Sequence, residues 1–305
     1  MLLSAQELLA DDLEFYLRLT PLAGELPEVA LADASGTTIA RVAAGAAFSE
    51  ISARFANRGM QLSLSFEGAL HCRLAELRVT VHTPGDLGEF VRQLLWAGHD
   101  PYATTPVLSS PPDLQGWNSQ HTYLSSCLPP TGDALVIEVG VWKGASTAFI
   151  AGEMAARGRR GAVIAVDTWL GSSEHWLHQR GAGWARDVGR DGLYRLFLTN
   201  MASLGLSRRC IPLPLDSLNA AAVVGHLGLQ ADMIHVDAGH DFNSVMADLQ
   251  AWWPNVRPGG WLVGDDYSWP TVSHAFNTFF AGQPGTKLEV LGVKCRVQKP
   301  LQAPG

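Results

Sequence analysis

Five short apolar runs, Leu135–Val139, Ala162–Val166, Ile211–Leu215, Met233–Val236 and Trp261–Val263, alternate with segments of helical spacing, and this alternation restricts the fold more than any other feature. Buried strands separated by helices build a mostly parallel sheet covered on both faces. Helices are expected over Ala145–Arg157 and Val245–Trp253, while Leu288–Leu291 and Lys294–Gln298 add an antiparallel hairpin turning at Gly292. The predicted fold class is therefore α/β, a Rossmann-like sheet of seven strands preceded by a small α+β domain. In such open sheets ligands sit outside the C-terminal strand ends, so the residues that follow each run carry the functional reading.

A chain of 305 residues is expected to hold two domains of ~100–200 residues each. The boundary is placed near residue 115, giving an auxiliary domain over 1–115, read as a dimer interface or a wall of the substrate pocket, and a catalytic domain over 116–305. Leu8, Leu9, Leu13, Tyr16 and Leu17 recur at helical spacing and predict a helix over residues 5–19 that Pro21 ends. Met60–Phe66 and Leu74–His82 read as strands around a turn near Gly68, and a helix follows Pro84-Gly85-Asp86. Pro101, Pro106, Pro111 and Pro112 mark residues 101–117 as a linker.

Composition removes several classes of function. With 47% apolar and 17% charged residues the chain has ample core, and a net charge of −7 argues against a nucleic-acid partner. The tight basic run Arg157, Arg159 and Arg160 reads as a solvated turn. Cys72, Cys127, Cys210 and Cys295 lack C-x-x-C spacing, so neither zinc nor a disulfide framework is expected and a cytoplasmic location is. Asp11, Asp12 and Glu14 do not suit an ordinary signal peptide, and no apolar run reaches the ~18 residues that span a bilayer. The expected partner is a small hydroxylated molecule, with a homodimer or higher homo-oligomer as the assembly.

The first strand runs into Glu138-Val-Gly-Val-Trp-Lys-Gly-Ala-Ser-Thr147, a glycine-containing turn between strand and helix. Gly140 and Gly144 let backbone approach a ligand, and Glu138 offers a carboxylate beside the opening. Trp142 stands where a dinucleotide fingerprint needs its second glycine, and Lys143 precedes Gly144, the reverse of a P-loop ending, so NAD and nucleoside triphosphates fit poorly. Asp167 ends the second strand, placed to accept both hydroxyls of a ribose, and Asp216-Ser217 ends the third, placed to bound an adenine. The combination favours an adenosyl ligand without phosphates, with Val141, Ser146, Thr168, Trp169 and Asp237 completing the expected contacts.

The fourth strand delivers Ile234-His-Val-Asp-Ala-Gly-His240 and the fifth Gly264-Asp-Asp-Tyr267. Three carboxylates in one cleft, Asp237, Asp265 and Asp266, raise one another's pKa unless a cation joins them. Hard oxygen ligands select magnesium, or manganese or calcium, over zinc, and such an ion would hold a substrate hydroxyl and lower its pKa. His240, three residues after Asp237, is placed to take the hydroxyl proton, its alternative role being a cap on the helix near Asn243. His235, inside the strand, reads as a satisfied core histidine.

These residues, with Val166-Asp-Thr-Trp-Leu-Gly171, Trp252-Trp-Pro254 and Arg257-Pro-Gly-Gly260, resemble the class I S-adenosylmethionine-dependent methyltransferases grouped with the metal-dependent macrocin- and mycinamicin-type sugar O-methyltransferases. The resemblance covers Leu128–Gln298 and is most specific at Asp-x-x-His with Asp-Asp. It implies magnesium on Asp237, Asp265 and Asp266, His240 as base, and cofactor contacts at Glu138, Gly140, Asp167 and Asp216. The implied reaction is O-methylation of a small molecule, a sugar or glycosylated natural product ahead of a catechol-like phenol.

The insert between the second and third strands, residues 171–200, is long enough to be a lid or binding loop and holds Glu174, His175, Trp176, His178, Trp184 and Tyr194. Glu174, His175 and Trp176, with Tyr267 and Trp269, are candidate substrate contacts, and Glu174 is a candidate further metal ligand. Two other functions suit the same sheet: a carbohydrate-modifying hydroxylase-like enzyme, and a non-catalytic binding module whose carboxylates are vestigial.

Overall fold

The computed structural model describes residues 87–130, 133–172, 175–176 and 192–301, together with the backbone of strands between residues 12 and 82. Cα packing separates residues 6–85 from residues 86–305.

In the first unit the described elements are strands: β1 (Asp12–Pro21), β2 (Val29–Ala32), β3 (Thr38–Val42), β4 (Ser49–Ala56), β5 (Ser63–Phe66) and β6 (Cys72–His82). They form two antiparallel three-stranded sheets, ordered β4-β1-β6 and β3-β2-β5. The helix expected over residues 5–19 is therefore strand from Asp12 on, and residues 5–11 lie outside the described residues. Leu13, Phe15, Leu17 and Leu19 alternate with Glu14, Tyr16, Arg18 and Thr20, and this two-residue period prevails because β1 finds partners on both edges. Among the described residues of 12–82 the elements are strands, and the helix expected after Pro84-Gly85-Asp86 follows at Leu87–Trp96.

The second unit begins with α1 (Leu87–Trp96), whose Leu87 and Val91 are buried. Trp96 Nε1 donates to Pro212 O at 2.8 Å and the Tyr102 hydroxyl to Cys210 O at 2.7 Å. The stretch 101–117 is accordingly a packed strap and not a free linker. Asp113 meets the buried Lys143 ammonium at 2.6 Å, and Asn200 Nδ2 donates to Asp113 O and Lys143 O, both at 2.9 Å. These long-range contacts put the division at residue 85, upstream of the boundary expected near 115.

The sheet itself follows the expectation closely. Strands β7 (Ala134–Val139), β8 (Gly161–Val166), β9 (Cys210–Leu213), β10 (Ala231–Val236), β11 (Val256–Gly264), β12 (Leu288–Leu291) and β13 (Lys294–Gln298) lie in the order β12-β13-β11-β10-β7-β8-β9. Strands β7 to β11 pair in parallel, and β13 runs antiparallel to both β11 and β12. Every residue of β7, β8 and β10 is buried, as strands covered on both faces require, and each full Val, Ile or Leu burial contributes roughly 1.5–3 kcal/mol. The covering helices are α2 (Thr122–Ser126), α3 (Ala145–Ala156), α4 (Gly192–Ser203), α5 (Ser217–His226), α6 (Phe242–Trp252) and α7 (Pro270–Ala281). The chain order proceeds β7, β8, β9 to one side and then crosses to β10 on the other side of β7, which makes the crevice between β7 and β10 the switch point.

Asp216 and Ser217 both have hydrogen-bond partners within the fold. Asp216 is the N-cap of α5, accepting from Asn219 N at 3.0 Å, and Ser217 donates to Asp248 on α6 while accepting from Trp252 Nε1 at 2.8 Å. Burial raises the Asp248 carboxyl to about 6 against the opposing Ser217 hydrogen bond. Because the folded value exceeds the unfolded one, the native state holds the extra proton between about pH 4 and 6, and stability falls as pH rises through that window by about 3 kcal/mol. Urea titrations of Asp248→Asn should show this slope removed and a higher midpoint than wild type above pH 7; an unchanged slope would assign it elsewhere.

Candidate active site

Main-chain hydrogen bonds continue the ladder beyond the strand ends. Gly140 N donates to Val166 O at 2.9 Å, Asp237 N to Val139 O at 2.8 Å and Asp265 N to Val236 O at 3.0 Å. The tips of β8, β7, β10 and β11 are thereby stitched side by side, and Asp167, Gly140, Asp237 and Asp265 become neighbours. Gly140, at φ +85°, is pressed against the switch point so closely that a Cβ there would stand 1.8 Å from Asp237 O. Trp142, Trp169 and Asp266 also have left-handed backbones, at φ 54°, 51° and 50°. Each such conformation costs a non-glycine residue on the order of 1–3 kcal/mol, and strain of this kind gathers at functional sites.

Asp167 serves the glycine turn. Its Oδ2 accepts from Val141 N at 2.9 Å and Trp142 N at 2.8 Å, and its Oδ1 from Trp169 N at 2.7 Å. Burial raises its pKa while these amides oppose the rise. A carboxylate offers roughly four lone-pair sites, so three amides leave capacity for one further donor and not for the two ribose hydroxyls expected. The Trp169 indole is buried, tilts against Tyr194 and Phe197, and donates to Trp142 O at 2.9 Å, so it is core. Thr168 is exposed at the same tip. Gly144 is the left-handed N-cap of α3 and Val141 is buried.

Glu138 is wholly buried. It accepts from the hydroxyls of Ser146 and Thr147 and pairs with His235 Nδ1 at 3.1 Å. His235 is the satisfied core histidine foreseen: with Nδ1–H directed to Glu138, Nε2 accepts from Lys294 Nζ at 3.1 Å. Lys294, on β13 and fully buried, also meets Asp265 Oδ2, and Asp265 Oδ1 accepts from Asp266 N at 2.8 Å. Burial drives the Asp265 carboxyl up, but His235 and Lys294 outweigh it and hold the group below its usual value. Lys294 was absent from the sequence-based site.

Asp237 stands at the centre of this edge. Burial first, and then the charge of Asp265, push its carboxyl well above the ordinary range. No described side chain or amide donates to it, so its charge is uncompensated by hydrogen bonds among the described residues. Beside it His240 Nε2 lies 2.9 Å from Asp266 Oδ2, and the His240 ring stacks on Trp269 at 4.8 Å. The helix-cap alternative for His240 is excluded, because Asp241 caps α6 by accepting from Asn243 N and Ser244 N, both at 3.1 Å. Two overlapping groups of ligand atoms lie within 4.8 Å of one another: His235, Asp237 and Asp265, and Asp237, His240 and Asp266. The three carboxylates named from the sequence are thus gathered around Asp237, although not in one group.

On the rim, Trp269 and Trp176 are exposed at 45% and 53%. Trp176 Nε1 donates to Leu170 O at 3.0 Å, and His175 stacks on Trp142 at 4.6 Å, which brings the start of the insert against the glycine turn. Tyr267 exchanges hydrogen bonds with Asn277 on α7. Glu174, His178 and Trp184 lie outside the described residues. Among the described residues Cys127, Cys210 and Cys295 are free thiols, and no helix is long and apolar enough to cross a membrane.

The span that carries this edge, residues 137–267, matches a family model described as a methyltransferase domain. The seven-stranded, mostly parallel Rossmann-like sheet is the fold class anticipated from the sequence. Solved structures that resemble the chain include the O-methyltransferase NovP, at 20% identity over 58% of this chain and 75% of that one with a TM-score of 0.43. Another is the O-methyltransferase from Bacillus cereus in complex with SAH, at 17% identity over 70% and 90% with a TM-score of 0.44. A third is the calicheamicin methyltransferase CalS11, at 15% identity over 58% and 75% with a TM-score of 0.41. These are likenesses at low identity. No curated protein matches the chain.

Proposed function

We propose that the methyltransferase domain transfers a methyl group from S-adenosylmethionine to a hydroxyl of a small molecule, with a divalent cation at the carboxylate cluster of Asp237, Asp265 and Asp266. The observation that carries this reading is the Asp237 carboxylate, which no described donor satisfies, standing at the switch point where its backbone packs against the glycine turn at Gly140. An adenosyl group fits a crevice whose floor is glycine backbone, with Asp167 retaining one acceptor position. A hard divalent cation fits carboxylate oxygens whose mutual repulsion raises Asp237.

The cofactor supplies an electrophilic methyl and the cation supplies Lewis acidity toward the acceptor hydroxyl. This chain's residues do the rest. The stitched strand tips fix the spacing between the glycine turn and Asp237, which is the alignment an in-line displacement needs. His240 takes the hydroxyl proton, and Asp266 at Nε2 stabilises the imidazolium that results. Trp269, stacked on His240 and exposed, and Trp176 offer flat apolar faces beside carboxylates, a combination suited to a sugar ring or glycosylated metabolite.

Isothermal titration should give saturable binding of S-adenosylhomocysteine, and a flat titration would remove the cofactor. Screening hydroxylated acceptors, nucleotide sugars among them, should find turnover that excess EDTA abolishes and magnesium or manganese restores. Full turnover in EDTA would defeat the metal reading and leave the methyltransferase reading standing.

A further inference from the structure

Lys294 has no part in the function so far, yet it is a fully buried cation at the metal edge. Its partners are Asp265 Oδ2 and His235 Nε2, and the other oxygen of Asp265 is engaged by the Asp266 amide. A buried ion pair stays in place because breaking it strands a charge in a low-dielectric surround. We propose that Lys294 is a positioning residue that withholds Asp265 from the cation, so that the ligating carboxylates are Asp237 and Asp266. This rests on the metal reading above.

Charge and geometry agree. Of the three carboxylates Asp265 alone meets an ammonium among the described residues, which leaves two negative charges, Asp237 and Asp266, opposite a doubly charged ion. Asp237 belongs to two groups of ligand atoms, one with His240 and Asp266 and one with His235 and Asp265, and in the second Lys294 already engages both Asp265 Oδ2 and His235 Nε2. Asp265 instead fixes the backbone: by accepting from Asp266 N it holds the left-handed turn at φ 50° that presents Asp266 to His240. Register explains how the lysine arrives there. Gly264 pairs with Cys295 across β11 and β13, which run antiparallel, so the residue after Gly264 lies level with the residue before Cys295.

The test is Mn2+ affinity of the full chain, read by electron paramagnetic resonance of the free ion. Asp266→Asn and Asp237→Asn should each weaken binding by about 100-fold or more, near the upper end of what even supporting groups contribute. The double variant Asp265→Asn with Lys294→Met removes both charges of the buried pair and should bind within about threefold of wild type. Lys294→Met alone frees a third carboxylate and should bind about 10-fold more tightly, equal to about 1.4 kcal/mol. A merely structural lysine gives no such gain. If Lys294→Met does not fold, the double variant decides. Loss of Mn2+ by the double variant to the extent seen for Asp266→Asn would make Asp265 a ligand and overturn the proposal while the metal reading survives. Absence of Mn2+ binding by the wild-type chain would overturn both.

Discussion

Gly140→Ala is expected to abolish S-adenosylhomocysteine binding and to lower stability by about 3 kcal/mol or more, combining ~1–3 kcal/mol for a left-handed non-glycine residue with a similar cost of overpacking. The added methyl would stand 1.8 Å from Asp237 O and 2.9 Å from Ala238 Cα, and because these are backbone atoms no side chain can swing aside to make room. The strand tips would have to part at the switch point, which moves the Asp237 carboxylate away from the glycine turn. Gly158→Ala is the control, since Gly158 has φ +65° with nothing within 4 Å of the added atom and isolates the cost of the backbone angle. Urea unfolding and calorimetric titration read the two effects. A Gly140→Ala protein with wild-type midpoint and affinity would mean that β7 and β10 do not meet as described.

The second large effect is expected from Asp237→Asn. Asp265 and Asp266 both repel Asp237, and burial adds to the cost of its charge. Without divalent ion the neutral amide should therefore be more stable than the aspartate, by about 1–2 kcal/mol or roughly 2–8 °C in the thermal midpoint. With saturating magnesium or manganese the order should reverse. An ion at about 100 times its Kd stabilises the wild-type protein by about 2.7 kcal/mol, and the variant should show no shift. Thermal unfolding in EDTA and in added ion measures both halves. A variant that is less stable in EDTA, or that still responds to the ion, would contradict the role given to Asp237.

The parallel sheet was legible because its strands are apolar at nearly every position and end in glycine or aspartate, a local signal that needs no knowledge of partners. Asp237 and Asp265 stand directly after strands, and Asp266 and His240 follow them by one and three residues, so the same signal marked their places. What stayed hidden depends on contacts distant in sequence. Residues 13–19 satisfy both a helical and an alternating pattern, and only pairing with β4 and β6 decides between them. Prolines between 101 and 117 suggest a linker until Asp113 is seen to meet Lys143. Glu138 and Asp167 lie where the sequence puts them, but the partners of their oxygens, Ser146, Thr147 and the turn amides, could not be read from it. Lys294 was hidden most completely. Its sequence context is an ordinary hairpin strand, and only the register of β13 against β11 turns it into the counter-ion of Asp265.

The row of peptide hydrogen bonds joining Gly140, Asp237 and Asp265 to the preceding strands has one more implication. It works as a ruler, graduated by the interstrand spacing of about 4.8 Å, and side chains do not set its divisions. On the proposed reading, an exchange of the aromatic rim around Trp176 and Trp269 would change the choice of acceptor without recalibrating the distance over which a methyl group has to travel.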